Sequence, residues 1–302
     1  LATQSLIAEL EFVLYLKTCM MNFRLGCAIW GYKGWVGDLF PSKSRSTDFL
    51  RLYSRRFPCV EGNTTFYSVP NAETVARWAK DAPPGFEFCL KLPKSVTHNG
   101  LLAPSLPGAI AFLNHMQGLG DRLGPMFAQL PPSYGPANLT DLSNFLQGWT
   151  GAELALEVRH PDWFKEPHNS RLNALLEDLG MGRVILDTRP IYECEDDPQL
   201  HSERKKPSVP VQPVVTAPFS LIRFISHPTL EQNQSYLEEW VRIVDRDLKQ
   251  GTRVYFFVHC PVEDHSPTNA RYFQQMLEQA NVPVPPLLWN AIDQPPAQLT
   301  LF

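Results

Sequence analysis

Leu154-Ala155-Leu156-Glu157-Val158-Arg159 carries two patterns at once. In an extended chain Leu154, Leu156 and Val158 share one face, and Ala155, Glu157 and Arg159 share the other. The bulky aliphatic face suits contact with helices. The small-then-charged face suits a narrow barrel interior rising to its rim. Seven further apolar runs lie on either side of this one: Phe23–Trp30, Cys59–Phe66, Phe86–Leu92, Pro125–Leu130, Arg183–Asp187, Ser220–Ile225 and Arg253–His259. They recur at roughly 30 to 40 residues, the repeat of a (β/α)8 barrel. Most end on a polar or charged residue, namely Glu61, Lys91, Gln129, Glu157, Asp187, Arg223 and His259. The expectation is an α/β chain forming a single (β/α)8 TIM-type barrel, with its chemistry at the C-terminal rim.

Helical periodicity fills the gaps. Ser46–Phe57, Ala72–Ala82, Ser170–Leu179, Gln234–Leu248 and Ser266–Ala280 each place apolar residues on one face at a 3.6 period. The alternation breaks between Arg189 and Pro218, where six prolines and the basic run Arg204-Lys205-Lys206 occur with little helical pattern. A loop this long after strand six is expected over the rim, as a lid or wall. Residues 1–21, with Met20 and Met21 just before the first strand, read as an extension outside the barrel. Residues 22–293 form the barrel, and 294–302 a flexible tail.

At 302 residues with a formal charge of −4, the chain can bury a large core and is unsuited to wholesale coating of nucleic acid. The six cysteines (Cys19, Cys27, Cys59, Cys89, Cys194 and Cys260) form no CxxC pair, which suits a reducing cytoplasm better than a disulfide framework. No apolar run approaches a membrane span.

Alternation points Cys59, Glu61 and Asn63 inward on strand two, and Cys89 and Lys91 on strand three. It pairs Asp187 with Arg189 on strand six, and Leu221 with Arg223 on strand seven. Charge converging on one small volume must be neutralised or used. Glu61, Glu157 and Asp187 are the candidate acid/base groups, with Lys91 beside them as a catalytic candidate. Lys91, Arg159, Arg189 and Arg223 could hold an anionic substrate. The competing reading is a set of closed ion pairs, Glu157 with Arg159 or Asp187 with Arg223. Trp30 and the run Asn63-Thr64-Thr65-Phe66-Tyr67 offer aromatic walls and hydroxyls to a sugar-like ligand. Gln129 and Arg223 replace the carboxylates that a barrel glycosidase needs on strands four and seven. Glu157, Asp187, His227 and His259 could ligate a metal, but without HxH or HExxH spacing a metal is not favoured, and the cofactor stays open.

Trp30-Gly-Tyr-x-x-Trp35, Val60-Glu-Gly-Asn-Thr-Thr-Phe-Tyr67-x-x-Pro70, Phe86-x-Phe-x-x-Lys91, Thr97-His98, Gln129-Leu-Pro-Pro132 and Glu157-Val-Arg-His160-Pro occur in that order. Together they resemble the YecE-like domain-of-unknown-function family, in particular its bacterial YecE branch, from about residue 23 onward. The resemblance implies a TIM-barrel fold and brings no established reaction. Its matched positions His98, Gln129 and His160 join the substrate-binding candidates. Many relatives carry an asparagine-rich end of strand eight and a glycine-rich loop after strand seven. This chain has His259-Cys260 and Ser226-His227-Pro228 there, so roles at those positions do not transfer.

The tail Gln298-Leu299-Thr300-Leu301-Phe302 looks like the peptide by which bacterial proteins dock on the replication sliding clamp. Gln298 would orient it, and Leu299, Leu301 and Phe302 would anchor it in a groove. Two functions therefore compete. One is a cytosolic enzyme of hydrolase or lyase type acting on a small anionic or sugar-like substrate. The other is a clamp-tethered DNA replication or repair accessory or nuclease, reached along a basic path supplied by Arg204–Lys206.

Overall fold

The computed structural model describes residues 22–201 and 205–289. Its eight strands are β1 (Phe23–Cys27), β2 (Cys59–Gly62), β3 (Glu87–Leu90), β4 (Met126–Gln129), β5 (Leu154–Glu157), β6 (Gly182–Asp187), β7 (Phe219–Ile225) and β8 (Arg253–His259). Each falls inside or within one residue of an apolar run. Among the described residues nine α-helices lie between and after them: α1 (Phe49–Tyr53), α2 (Thr64–Tyr67), α3 (Ala72–Asp81), α4 (Lys94–Thr97), α5 (Leu106–Met116), α6 (Leu139–Gly148), α7 (His168–Asp178), α8 (Gln234–Lys249) and α9 (Ser266–Gln279). Local chemistry sets their ends. Asn71 caps α3, its side chain accepting from Thr74 N at 2.9 Å, and the helix stops before Pro83 and Pro84. In α8, Leu237, Trp240, Val244 and Leu248 recur at helical spacing and are buried against the sheet.

Every ladder is parallel, giving an α/β fold. One sheet runs β1-β8-β7-β6-β5-β4, and β2 pairs with β3. Single bridges, Phe88 to Leu123 and Lys91 to Phe127, link β3 towards β4. Between β1 and β2 no ladder forms among the described residues, so the expected ring of eight hydrogen-bonded strands is not continuous. The physical reason is a side chain. Tyr53, the last residue of α1, puts its hydroxyl into the seam, where it accepts from Cys27 N at 2.6 Å and donates to Cys59 O at 3.0 Å. The helix expected over Ser46–Phe57 is instead a 3-10 turn, Ser46–Asp48, followed by the five α-helical residues of α1. Gly26 lets the strands approach this closely, because a Cβ there would lie 2.2 Å from Cys59 O.

Alternation sorts the side chains into two layers. Cys59, Cys89, Phe127, Ala155, Val184, Leu221 and Phe257 form an inner cluster, while Phe88, Leu156, Ile185, Ile222 and Phe256 pack outward among the helices. The cysteines act as small hydrophobes, and burial pushes the thiols of Cys27, Cys59 and Cys89 up. After β6 the chain folds back over the strand ends: Ile191 and Val209 pack on Leu186 and Ile225, and Thr188 Oγ1 donates to Pro207 O at 3.1 Å. No described helix is long and apolar enough to cross a membrane. The extension 1–21, Arg204 and the tail with Gln298, Leu299, Leu301 and Phe302 lie outside the described residues.

Candidate active site

Above the inner cluster the strands carry their next inward residues: Glu61 on β2, Lys91 just past β3, Gln129 on β4, Glu157 on β5, Arg223 on β7 and His259 on β8. Arg223 sits at the centre. Its Nε and Nη2 donate to the two oxygens of Glu61, both at 2.7 Å, and its Nη1 donates to Glu157 Oε2 at 2.5 Å. Arg159 Nε donates to the other Glu157 oxygen at 2.6 Å, and Asn63 Nδ2 donates to Glu61 Oε1 at 2.5 Å and Ala28 O at 3.0 Å. Burial alone would raise the Glu157 carboxyl, but Arg159, Arg223 and Lys91 outweigh it and hold the group at about 2. Glu157 is therefore an ionised acceptor with no proton to give.

Lys91 differs from the arginines. Only 6% exposed, its Nζ donates to the amide oxygen of Gln129 at 2.5 Å and lies 4.0 Å from the centre of the Phe66 ring. Burial, then the positive charge of Arg223, bring it down to about 7. Thr65, fully buried, has Oγ1 at 2.7 Å from Lys91 O and 2.9 Å from Gly62 O. It fixes the backbone beneath the lysine and has no free face for a ligand. His98 packs edge-on against the same Phe66, with Nδ1 2.8 Å from Thr97 Oγ1. Burial and Lys91 lower it to about 4, so it is neutral at physiological pH.

The segment after β6 completes the site. Lys206 turns inward, its Nζ 3.3 and 3.4 Å from the two ring nitrogens of His259. Gln199 Oε1 accepts from Lys206 N at 2.6 Å, and Tyr192 OH donates to Lys206 O, which holds this stretch in place. Burial lowers Lys206 to about 8 and pushes His259 well below its usual value. Glu263, 3.4 Å from His259, is raised to about 8 by burial, and its buried Oε1 has no hydrogen-bond partner. Among the described residues neither Lys91 nor Lys206 has a carboxylate partner. Lys206 and Glu263 escaped the reading of strand ends because one comes from a loop and the other from a short 3-10 turn, Glu263–His265, where no strand period marks direction. The proline-rich stretch and the acidic residue four positions after His259 were the available signals.

Other expected members do not join. Asp187 is fully buried but on the helix side of β6, accepting from Trp240 Nε1 at 2.8 Å and from Arg189 Nη2 at 2.8 Å. The inward residues of β6 are Val184 and Leu186, so parity sends Asp187 outward. The expected Asp187–Arg223 pair does not form. Arg189 follows Asp187 and also binds Glu239 at 2.8 Å. His160 caps a short turn, its Nδ1 accepting from Asp162 N at 3.2 Å. Trp30 packs edge-on against Trp78 and Phe88 in the outer layer, and Tyr67 is 65% exposed beside Phe66. The aromatic wall for a sugar therefore does not assemble from Trp30 and Tyr67. Of the expected basic path Arg204–Lys206, Arg204 lies outside the described residues, Lys206 points in and Lys205 pairs with Asp197 at 2.9 Å.

Glu157, Asp187, His227 and His259 do not converge as metal ligands. His227 instead lies with Cys194 and Asp196, three potential ligand atoms within 4.8 Å of one another. The donor set fits a cation poorly. His227 Nδ1 accepts from Thr229 N at 2.9 Å, so its proton is on Nε2, facing Asp196 at 3.0 Å. The imidazole offers that carboxylate a hydrogen bond and keeps no lone pair on that side. At the opposite ends of the strands a cavity of about 540 Å3 opens between Phe23, Phe57, Phe86 and Leu288, walled mostly by apolar side chains and distant from this chemistry.

A family model described as a protein of unknown function, DUF72, matches residues 24–292. The chain belongs to the DUF72 family. The UPF0759 protein YecE of Escherichia coli (strain K12) is 36% identical over 241 residues, covering 78% of this chain and 86% of that protein. The UPF0759 protein YunF of Bacillus subtilis (strain 168) is 26% identical over 174 residues, covering 54% and 61%. Among solved structures, the DUF72 protein TM1631 of Thermotoga maritima superposes with a TM-score of 0.64 at 21% identity, covering 85% of this chain and 99% of that one. EF0366 of Enterococcus faecalis gives 0.64 at 17% identity, covering 85% and 95%. At these identities the likeness is one of fold, so the reading of this DUF72 rim rests on its own side chains.

Proposed function

We propose that this DUF72 chain is a cytoplasmic enzyme that binds a small anionic substrate at the C-terminal rim and moves a proton there, in hydrolase- or lyase-type chemistry. One observation carries the reading. In a site where Glu61, Glu157, Arg159 and Arg223 neutralise one another, the ammonium groups of Lys91 and Lys206 have no anionic partner. A substrate carboxylate or phosphate supplies what they lack. The rim offers proton carriers of both kinds: neutral His98 as a base, and Glu263, protonated at neutral pH, as an acid. Glu61 and Glu157 then act as an electrostatic frame around Arg223. The reading takes the eight strands as a TIM-type barrel closed at the β1–β2 seam by Tyr53 and Asn63 side chains rather than by a ladder.

The test is calorimetric titration with inorganic phosphate and oxalate. Lys91→Met and Lys206→Met should each weaken binding by about 10- to 100-fold, the worth of one charge-assisted hydrogen bond. Equal, millimolar-or-weaker binding by all three proteins would remove the anion site.

A second reading stands on Gln298–Phe302 alone: docking on the bacterial sliding clamp, which would put the rim's substrate on DNA. Fluorescence anisotropy with the full chain and one ending at Pro296 tests it. Micromolar binding lost on truncation supports clamp docking, and no binding by either form ends it.

A further inference from the structure

We propose that Lys91 is a carbonyl-capturing nucleophile whose Nζ forms an imine with a small aldehyde or ketone bearing a carboxylate or phosphate. The inference rests on the anion site above and names the substrate class for it.

Three features of the setting support this. Where other described lysines are in ion pairs, they sit on surface carboxylates: Lys165 on Asp162, Lys205 on Asp197 and Lys249 on Asp245. Lys91 lies inside the strand ring within the field of Glu157, yet both Glu157 oxygens are already taken by Arg159 and Arg223. Its charge is therefore not needed to balance that carboxylate. Its contacts are an amide oxygen and an aromatic face, both of which tolerate a neutral amine, and the positive charge of Arg223 favours one. Finally, Nζ is held on Gln129 Oε1 at 2.5 Å and the backbone beneath it by Thr65 Oγ1 on Lys91 O, so the amine has a defined place from which to attack. At about 7, a large fraction of the amines carry a free lone pair at neutral pH, whereas a surface lysine near its usual value of 10.5 carries almost none.

The chemistry balances without any oxidant or reductant. The nitrogen lone pair attacks the carbonyl carbon, and the C–O π pair moves to oxygen, which takes up a proton to give a carbinolamine. Nitrogen loses one proton, the hydroxyl takes up a second and leaves as water while the nitrogen lone pair closes C=N, and the resulting iminium releases its remaining N–H proton. Amine plus carbonyl gives imine plus water. Arg159 and Lys206 would hold the anionic group, and His98, packed edge-on against the same Phe66 ring, is a neutral imidazole able to pass the protons.

The experiment uses the full chain with glyoxylate or dihydroxyacetone phosphate and sodium cyanoborohydride, followed by peptide mass mapping. The expected result is a reduced adduct at Lys91 formed at least about tenfold faster than at Lys165, Lys205 or Lys249, slowed by inorganic phosphate and lost in Lys91→Arg. Labelling at Lys91 no faster than at those surface lysines overturns the proposal. Phosphate titration of the same protein separates the two readings. Phosphate bound without Lys91 labelling means the anion site stands and the imine does not. Absence of both means both fall. Preferential Lys91 labelling that phosphate does not slow supports the nucleophile and removes the anion anchor.

Discussion

At the scale of single residues, Arg223 determines the stability of the site. Its guanidinium joins two carboxylates that are each 1% exposed, and removing it leaves both charged groups buried together. Arg223→Met should cost about 3–5 kcal/mol in urea unfolding. A loss below about 1 kcal/mol would mean the carboxylates find other partners or water. Glu157 and Lys91 titrate in opposite senses. Glu157 is held at about 2 against an ordinary 4.5, so its stabilisation is complete above pH 4.5 and is lost as pH falls towards 2. The stability advantage of the native protein over Glu157→Gln should therefore shrink across that window. Lys91 is lowered to about 7 from 10.5, so the unfolded chain binds the extra proton between those values. Its destabilisation is full below pH 7 and fades as pH rises towards 10.5. Relative to Lys91→Met, the native protein should gain on the order of 5 kcal/mol across that range.

At the scale of elements, the β1–β2 seam and the segment over the rim matter most. The Tyr53 hydroxyl replaces ladder bonds in the seam, so Tyr53→Phe leaves Cys27 N without its acceptor and should cost about 1–3 kcal/mol. Gly26→Ala is harsher, because the new methyl would overlap Cys59 O and force β1 away from β2. We expect a fall in melting temperature well beyond that of Tyr53→Phe, measured by scanning calorimetry, and an equal or smaller fall would show that the strands can part at little cost. The seam was illegible in the sequence, since nothing near Tyr53 marks a side chain that stands in for backbone pairing. Parity on β5 was legible because apolar and small-or-charged residues alternate there. On β6 it was not. Val184, Ile185 and Leu186 are all apolar, so neither face is distinguished and Asp187 could be assigned to either side.

At the scale of the whole molecule, the rim is one electrostatic unit assembled from six of the eight strand ends and from the segment that follows β6. If Lys91 and Lys206 await an anion, phosphate at 100 times its dissociation constant should stabilise the whole fold by about 2.7 kcal/mol, readable as a raised melting temperature. Lys206→Met should abolish most of that rise without lowering the basal value, because the ammonium rests on a neutral ring rather than on a carboxylate. What the sequence by itself determined was the number, order and spacing of the strands, the α/β class and the inward face wherever polar and apolar residues alternate. Those properties depend on each residue's partition between water and core, which neighbours a few positions apart express as a period. Only the tertiary structure decided which charges meet. Glu61 and Arg223 are 162 residues apart, and Lys206 reaches His259 across 53. Hydrogen bonds and ion pairs act over a few ångströms, so such partnerships exist only after the sheet has curled and brought the strand ends together.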